Sequence, residues 1–213
     1  MALLLSAPAA SAARTTVAPS PEPTAYSPAG KVLMNREEAL VLAFGTKAKV
    51  TRGTAYLEPK QVAAIAKAAK VPFEKTVVYP YRATDAKGNW IGTAYFDTHR
   101  VRSLRETLMV VVKTDGSLGR VEVLSFAEPR EYLPRAAFYR QFQDRKLDAD
   151  LNLKRKIRNV TGASLTSKAT TQCARRVLAL HEHLERERRL EEEERKKRAR
   201  RKGPQGIATD ERP

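Results

Sequence analysis

The chain has 213 residues, of which 42% are hydrophobic, and this is enough for one ordinary domain with its own core and flanking tails. Its net charge of +16 indicates attraction to nucleic acid, to an anionic membrane or to an acidic partner protein, without choosing among them. The single cysteine, Cys173, excludes an intramolecular disulfide and any site built from several cysteines. His99, His181 and His183 lack a recognisable metal-ligand spacing, so we expect no metal site.

The first 30 residues have the composition of an export signal followed by a linker. Residues 1–12 are rich in small side chains and leucine, and Ala10-Ser11-Ala12 fits the pattern that signal peptidase accepts. Because no Lys or Arg precedes the Leu3-Leu4-Leu5 run, two alternatives stay open: a start further upstream, or a disordered Ala-rich tail. Residues 13–30 have the Pro, Ser, Thr and Ala content of an extended linker. We expect an extracytoplasmic (periplasmic) protein that is soluble or peripheral to the membrane, since no other run is apolar and long enough to span a bilayer.

Residues 31–73 are predicted to form an N-terminal helical segment with two short helices. The first begins with a capping box at Asn35-Arg36-Glu37-Glu38 and is stopped by Gly45. The second follows Glu58-Pro59, has apolar residues at helical spacing and ends at Pro72. Two helices in a basic chain also suggest a helix-turn-helix DNA-binding motif. The roughly dozen residues between them are too many for the short turn of that motif.

Residues 74–184 are rich in strand patterns and predict an α+β domain, with an antiparallel sheet packed against helices. Asp115-Gly116 is a favoured hairpin turn between two apolar runs. The run before it, residues 108–112, is nearly all apolar, so we expect a central strand that is buried on both faces. The predicted strands cover residues 76–83, 90–96, 108–112 and 121–124.

Two helices are predicted after the sheet. Residues 136–142 have the pattern of a short amphipathic helix. The last helix begins near Leu165 or Thr166, and an apolar residue recurs at every third or fourth position along it. Beyond this stripe, residues 185–213 form a charged helical tail with Glu and Lys or Arg paired at i,i+4 spacing. The mixed charge favours a solvated helix that projects from the domain, and the alternative is an arm that binds RNA or a membrane surface. The stripe consists of Ala169, Cys173, Val177, Leu180 and Leu184.

The segment with the clearest chemical character lies at the start of the last helix and reads Thr161-Gly162-Ala163-Ser164-Leu165-Thr166-Ser167. Four hydroxyl side chains surround Gly162 and Ala163, whose small size lets a ligand approach the backbone. A helix start presents unpaired N–H groups and the positive end of the helix dipole. These amides and hydroxyl groups together suit an external anion such as a phosphate. The alternative is an ordinary capped helix after a loop, because Ser and Thr are common caps.

Residues 160–167 resemble the flavinylation motif of the FMN-binding domain family, where FMN is flavin mononucleotide. This family includes the covalent-flavin subunits of sodium-pumping quinone reductases and of Rnf electron-transport complexes. Its motif runs approximately Asp-x-x-(Ser/Thr)-Gly-Ala-(Thr/Ser)-x-(Thr/Ser)-(Ser/Ala) and precedes a helix. Two earlier stretches, 126–134 and 138–142, are similar to the family's lead-in, in which an acidic residue and Pro come before a short aromatic helix. The resemblance is best from Trp90 to Leu184, and it implies that residues 74–184 are an FMN-binding domain.

The resemblance also implies a role for each motif residue. In the family, a transferase attaches the FMN phosphate to the hydroxyl that follows Gly-Ala, and this residue is Ser164 here. Arg158 stands where the family has an acidic residue, so it could instead pair with the phosphate of non-covalently bound FMN. Glu128, Pro129 and Tyr132 are candidates to contact the flavin ring, and their alternative role is packing of the loop over the sheet. His99 is a weaker candidate, and its alternative is a half-buried strand histidine. The residues expected to surround the phosphate are Thr161, Gly162, Ala163, Leu165 and Thr166.

We expect an electron-transfer protein rather than an enzyme, because the sequence shows no constellation of catalytic acid, base or nucleophile. FMN is the expected cofactor. The expected partners are a membrane oxidoreductase, a quinone or a cytochrome, together with a flavin transferase. The basic surface could dock acidic partners or anionic lipid headgroups. The main alternative is a basic nucleic-acid-binding protein in which Ser164 is only a helix cap, and a third is an interaction protein whose charged tail pairs with a partner.

Overall fold

The computed structural model describes residues 31–201, so the predicted signal peptide and linker lie outside the described residues. The elements follow one another along the chain, with a short 3₁₀ turn (Arg130–Tyr132) before the third helix. In chain order they are β1 (Lys31–Val32), α1 (Arg36–Phe44), β2 (Lys49–Arg52), β3 (Ala55–Tyr56), α2 (Pro59–Ala69), β4 (Val77–Val78), β5 (Tyr81–Thr84), β6 (Trp90–Arg100), β7 (Arg105–Val112), β8 (Leu118–Phe126), α3 (Ala136–Arg140) and α4 (Ser164–Arg201).

Six strands form one sheet in the order β1, β8, β7, β6, β5 and β2, and every neighbouring pair is antiparallel. The remaining strands, β3 and β4, pair with each other in a separate small sheet. Helices α2, α3 and α4 pack on one face of the large sheet, and α1 packs on the other. The predicted α+β fold, an antiparallel sheet packed with helices, is confirmed.

The strand β7 lies in the middle of the sheet, between β8 and β6. Its last five residues are all buried, because their side chains alternate between two apolar clusters on opposite faces. The prediction of a central strand buried on both faces is therefore confirmed. Leu108, Val110 and Val112 belong to the cluster beneath α2 and α4, and Met109 and Val111 to the cluster beneath α1.

The predicted capping and turn residues occupy the predicted positions. Asn35 accepts a hydrogen bond from the Glu38 amide, and the Glu38 carboxylate accepts one from the Asn35 amide, both at 2.9 Å. Pro59 is the first residue of α2, and Gly116 turns the β7–β8 hairpin with a left-handed φ of +78°. The helix α2 ends at Ala69 rather than at Pro72.

The segment 31–73 is more than a pair of helices. Its strands β1 and β2 are the two edges of the large sheet, so it belongs to the same folded unit as the strands that follow. The helices α1 and α2 lie on opposite faces of that sheet, with β2 and β3 between them in the chain. Helices so separated do not form a helix-turn-helix motif.

The first half of α4 is buried and its second half is exposed. Four of the five residues in the predicted apolar stripe are buried, and Leu184 is half-buried against the same cluster. The Glu185 carboxylate accepts a hydrogen bond from Arg82 Nη1 of β5 at 2.6 Å. Residues 189–200 are exposed, which agrees with the predicted projecting helix. Within residues 31–201, no helix has the length and apolar character needed to cross a membrane.

Removal of residues 191–213 should leave the free energy of unfolding within about 0.5 kcal/mol of the full-length value, because residues 191–200, the part of this segment whose side chains are described, are exposed and exposed residues contribute little to stability. The Leu178→Ala substitution, at a fully buried position of the same helix, should cost about 2–5 kcal/mol. Urea unfolding followed by circular dichroism measures both. A truncated chain that loses stability as Leu178→Ala does would show that the tail packs on the domain.

Candidate functional site

Residues 161–167 are called here the motif turn. They comprise a tight bend at 161–163 and the first four residues of α4. The Ala163 amide donates to the Val160 carbonyl at 3.0 Å, and Gly162 between them has a left-handed φ of +83°. A Cβ added at Gly162 would meet no atom within 4 Å, so the bend is open on its outer side. The helix begins at Ser164, slightly earlier than the sequence predicts. The backbone therefore has the open, glycine-dependent form expected of a surface that a ligand approaches closely.

The Ser164 hydroxyl is exposed and held in place. Its Oγ accepts a hydrogen bond from Asn159 Nδ2 at 2.8 Å and lies 3.5 Å from the Val160 carbonyl. Asn159 was not predicted as a site residue, although it lies only five positions before Ser164 in the sequence. The arrangement orients the hydroxyl and leaves it reachable from solvent, as covalent attachment of a ligand there would need.

The first turn of α4 also offers backbone donors. The Ser167 amide donates to the Ala163 carbonyl at 2.9 Å, which is the first hydrogen bond of the helix. Among residues 31–201, no hydrogen bond is made by the amides of Ser164, Leu165 and Thr166. These amides carry the positive end of the helix dipole, so the turn has the electrostatic character that favours an anion.

Thr166 was expected to surround the phosphate, but its side chain is buried. Its side chain is 1% exposed, and its hydroxyl donates to the Tyr132 carbonyl at 2.7 Å. The hydroxyl therefore joins the turn to the preceding 3₁₀ turn and is not available to a phosphate in this conformation. Leu165 is 51% exposed and has an apolar side chain, so only its amide could contact an anion.

A groove of about 600 Å³ lies beside the motif turn, between α3 and the segment 158–163. Its volume falls in the range of small-molecule and cofactor sites, roughly 300–1,000 Å³. Two arginines and one glutamate supply its charge, and the apolar part includes the buried ring of Phe138. The lining residues are Glu131, Leu133, Pro134, Arg135, Ala137, Phe138, Gln141, Arg158, Asn159, Val160, Thr161 and Ala163. Three predicted site residues, Arg158, Thr161 and Ala163, therefore share one concave surface.

The backbone of Arg158 is tied to the other wall of the groove. Its amide donates to Gln141 Oε1 at 2.7 Å, and its carbonyl accepts from Gln141 Nε2 at 3.3 Å. These two bonds hold Arg158 beside α3 while its side chain stays exposed. A guanidinium in this place can pair with a phosphate through two parallel hydrogen bonds.

Glu128 and Tyr132, predicted to contact a flavin ring, do not line the groove. Glu128 is buried, and its Oε1 accepts hydrogen bonds from the amides of Arg102, Ser103 and Leu104 at 2.7–3.2 Å. These amides hold the pKa of Glu128 below its usual value and fix the loop between β6 and β7. Tyr132 is half-buried and serves the turn through its carbonyl. Both residues thus have the packing role given above as their alternative.

A group of polar side chains lies under the first turns of α4, and we call Asp97, His99, Glu106, Thr170 and Cys173 the buried polar cluster. Only His99 was a predicted candidate, and it is a half-buried strand residue that does not line the groove. His99 Nδ1 lies 3.2 Å from Asp97 Oδ2, and its Nε2 lies 2.8 Å from Glu106 Oε1. Thr170 Oγ1 donates to the same Glu106 oxygen at 3.3 Å. Because ionised carboxylates only accept hydrogen bonds, His99 satisfies both of them when it is doubly protonated.

Four buried polar atoms have no hydrogen-bond partner among the described residues. Glu106 Oε2, Tyr139 Oη and Ser167 Oγ lie near α3 and the start of α4, and His183 Nε2 lies farther along α4. Burial raises the pKa of Tyr139, and the negative charge of Glu106 raises it further. Unsatisfied buried polar atoms are costly, so the region between the groove and the buried polar cluster is not a simple apolar core.

Asp97, His99 and Cys173 have potential metal-ligand atoms within 4.8 Å of one another. The Asp97 carboxylate is already paired with Lys75 and, at 2.9 Å, with Arg176 Nη2. Burial raises the pKa of the Cys173 thiol well above its usual value, so the sulfur carries a proton rather than a charge. A metal ion would have to displace two cations from Asp97 and a proton from Cys173. We therefore propose no metal here.

Comparison with protein-family models, with curated proteins and with solved structures finds no match to this chain. The resemblance to the FMN-binding domain family therefore rests on the motif and its lead-in.

The unfolding free energy should fall as the pH rises above 6.5, because His99 binds its proton more tightly in the folded state. Burial alone would lower the pKa of His99, but hydrogen bonds to Asp97 and Glu106 raise it above 6.5. A raised folded pKa gives stability that is fully present below the unfolded pKa and is lost as the pH passes the folded pKa. His181, whose pKa burial lowers to about 4, acts in the opposite direction and only below pH 6.5.

Urea unfolding between about pH 6.5 and 8 tests this assignment, since the cysteine and tyrosines do not yet ionise there. The wild-type protein should lose stability across this interval, and the His99→Gln variant should lose less. Equal slopes in the two proteins would contradict a protonated His99 between the two carboxylates. The His181→Gln variant is the matched control and should keep the wild-type slope in this interval.

Proposed function

We propose that this chain binds FMN in the groove beside the motif turn and acts as an electron-transfer protein. The observation that carries the proposal is a coincidence of sequence and geometry. The segment that resembles a flavinylation motif is also the segment that borders a groove of cofactor size. The groove contains two arginines, the hydroxyl of Thr161 and an apolar wall, and Gly162 and Ser164 adjoin its lining residues in the chain without lining it themselves.

The phosphate end of the ligand would lie at the motif turn. Free amides at the start of α4 and the guanidinium of Arg158 supply positive potential and hydrogen-bond donors. The hydroxyl of Thr161 adds a neutral donor on the same surface. Ser164 Oγ, oriented by Asn159, is the atom on which a flavin transferase would form a phosphoester. Thr166 supports the turn from behind through its bond to the Tyr132 carbonyl.

The ring end would lie along the apolar wall of the groove. Leu133, Pro134, Phe138 and Val160 provide a surface on which a flat aromatic system can pack, and Phe138 is itself fixed by an edge contact with Phe142 at 5.4 Å. Bound flavin supplies the redox chemistry, whereas the protein positions it and excludes water. Glu128 is left out of the proposal because three amides occupy its Oε1.

We also propose where this protein acts and with which partners. An exported protein of this kind would act outside the cytoplasm, in the periplasm, and exchange electrons with a membrane oxidoreductase, a quinone or a cytochrome. The high positive charge suits acidic partner proteins and anionic lipid headgroups. Charge of this type accelerates association and makes it sensitive to salt.

The substitution Ser164→Ala should abolish covalent flavin labelling without unfolding the protein, because the exposed hydroxyl is the proposed attachment point. The chain is produced in a host that contains a flavin transferase, and its intact mass and visible spectrum are recorded after denaturation. The wild-type mass should increase by one FMN less one water. Thr51→Ala, which removes an exposed hydroxyl from β2, is the control and should keep the label. Label retained in Ser164→Ala would move the attachment elsewhere.

The substitution Arg158→Ala should weaken non-covalent FMN binding about tenfold, since a charge-assisted hydrogen bond contributes about 1.5–3 kcal/mol. The quenching of FMN fluorescence by protein made without the transferase measures this affinity. Arg140→Ala removes an equal charge from the end of α3, outside the groove, and should change the affinity less than about twofold. A colourless protein with no FMN affinity, but with steeply salt-dependent binding to RNA or DNA, would support the nucleic-acid alternative instead.

A further inference from the structure

A second concave surface, called here the basic pocket, lies on another side of α4. It measures about 330 Å³ and is formed by the end of α2, the loop 149–155 and the first half of α4. Its lining residues are Lys70, Val71, Ala149, Asn152, Leu153, Arg155, Lys168, Thr171, Gln172 and Arg175. We propose that the basic pocket binds the phosphate group of a small phosphate monoester.

All the charged residues that line the basic pocket are positive. Four of its lining residues are cationic, namely Lys70, Arg155, Lys168 and Arg175, and none is acidic. Arg155 has a partner in Asp150 at 3.4 Å, but this pair is exposed and therefore weak. Within residues 31–201, neither Lys70 nor Lys168 has a carboxylate oxygen within 4.0 Å. Four cations around a cavity that no carboxylate lines create a positive potential there.

Arg175 is the one buried cation among the residues that line the basic pocket. Its residue is 6% exposed, yet its guanidinium bonds only to carbonyls: Nε to Ala69 at 2.7 Å, and Nη1 to Asp148 at 2.7 Å and Leu151 at 2.9 Å. These bonds attach the last residue of α2 and the segment 148–151 to α4. They satisfy donors without supplying a formal negative charge, and Nη2 has no partner in the described part of the chain. Burial lowers the pKa of Arg175, the negative charge of Asp148 opposes this change, and a bound phosphate would oppose it further.

The rest of the lining fits a small organic ester. The side-chain amides of Asn152 and Gln172 can donate to phosphate or to hydroxyl groups. Val71 and Leu153 provide limited apolar contact, enough for a few carbon atoms. The volume lies at the lower end of the range for ligand sites, which excludes a large cofactor. Lys168, Thr171, Gln172 and Arg175 recur at helical spacing and thus share one face of α4.

The basic pocket and the groove share no lining residue. The groove meets α4 at its start, through Ala163, whereas the basic pocket meets it from Lys168 to Arg175. The inference therefore does not rest on the proposed FMN function, and either could fail without the other.

Calorimetric titration of the flavin-free, full-length protein with glycerol 3-phosphate, and then with inorganic phosphate, tests the inference. The buffer contains about 0.15 M salt, which screens non-specific attraction to the basic chain. We expect saturable binding at one site and competition between the two ligands. The Lys168→Glu variant should bind glycerol 3-phosphate at least about tenfold more weakly, because it replaces one attractive charge by a repulsive one.

Lys60→Glu is the matched control, since it makes the same charge change on the exposed first turn of α2 and should alter affinity less than about twofold. The Lys70→Gly variant is a second test and should also weaken binding, because glycine accepts the left-handed φ of 56° at that position without strain. Absence of binding up to about 10 mM ligand, or equal weakening in Lys168→Glu and Lys60→Glu, would overturn the proposal. Loss of FMN binding in Lys168→Glu would also overturn it, since the two sites would then be one.

Discussion

The packing of α4 against the sheet determines where every candidate site lies. Its buried face includes the small side chains of Cys173 and Ala174, and Leu178, which belongs to the same apolar cluster as residues of α2, β7 and β8. A close-packed helix cannot slide or rotate without leaving voids, so the packing of its buried face fixes its position on the sheet. The motif turn, the basic pocket and the buried polar cluster each include residues of this helix, so their positions are linked through it.

The buried polar cluster makes this packing depend on charge as well as on apolar contact. Burial alone would raise the pKa of Asp97, but hydrogen bonding from His99 and the charges of Lys75 and Arg176 hold it well below the usual range. The two cations come from the segment before β4 and from α4, so the carboxylate of β6 connects three parts of the chain. Removal of one of these partners would leave the buried carboxylate less well compensated, which costs stability.

The sequence predicted those parts of the fold that local chemistry determines. The capping box at Asn35 and the hairpin turn at Gly116 are specified by short-range hydrogen bonds and backbone conformation, so they were confirmed. The edge strand β2 was missed, because an edge strand with mostly exposed side chains has no apolar alternation. Asp97 was missed as a buried residue, although it shares with Tyr95 and His99 the alternate positions of β6 that face α4. The groove and the basic pocket join distant segments, and a single sequence does not show which segments will meet.

The distribution of charge explains why concave surfaces, rather than the tail, are the better candidates for anion recognition. From residue 185 to 202 the tail has ten basic and six acidic residues, so about three quarters of the net charge of +16 lies elsewhere. Within the tail the charges neutralise one another, as Arg188 does with Glu185 and Glu192. In the groove and the basic pocket, arginines and lysines outnumber carboxylates, and one of these cations, Arg175, is buried. An interaction with a ligand is stronger there than on a solvated helix, because low-dielectric walls screen it less.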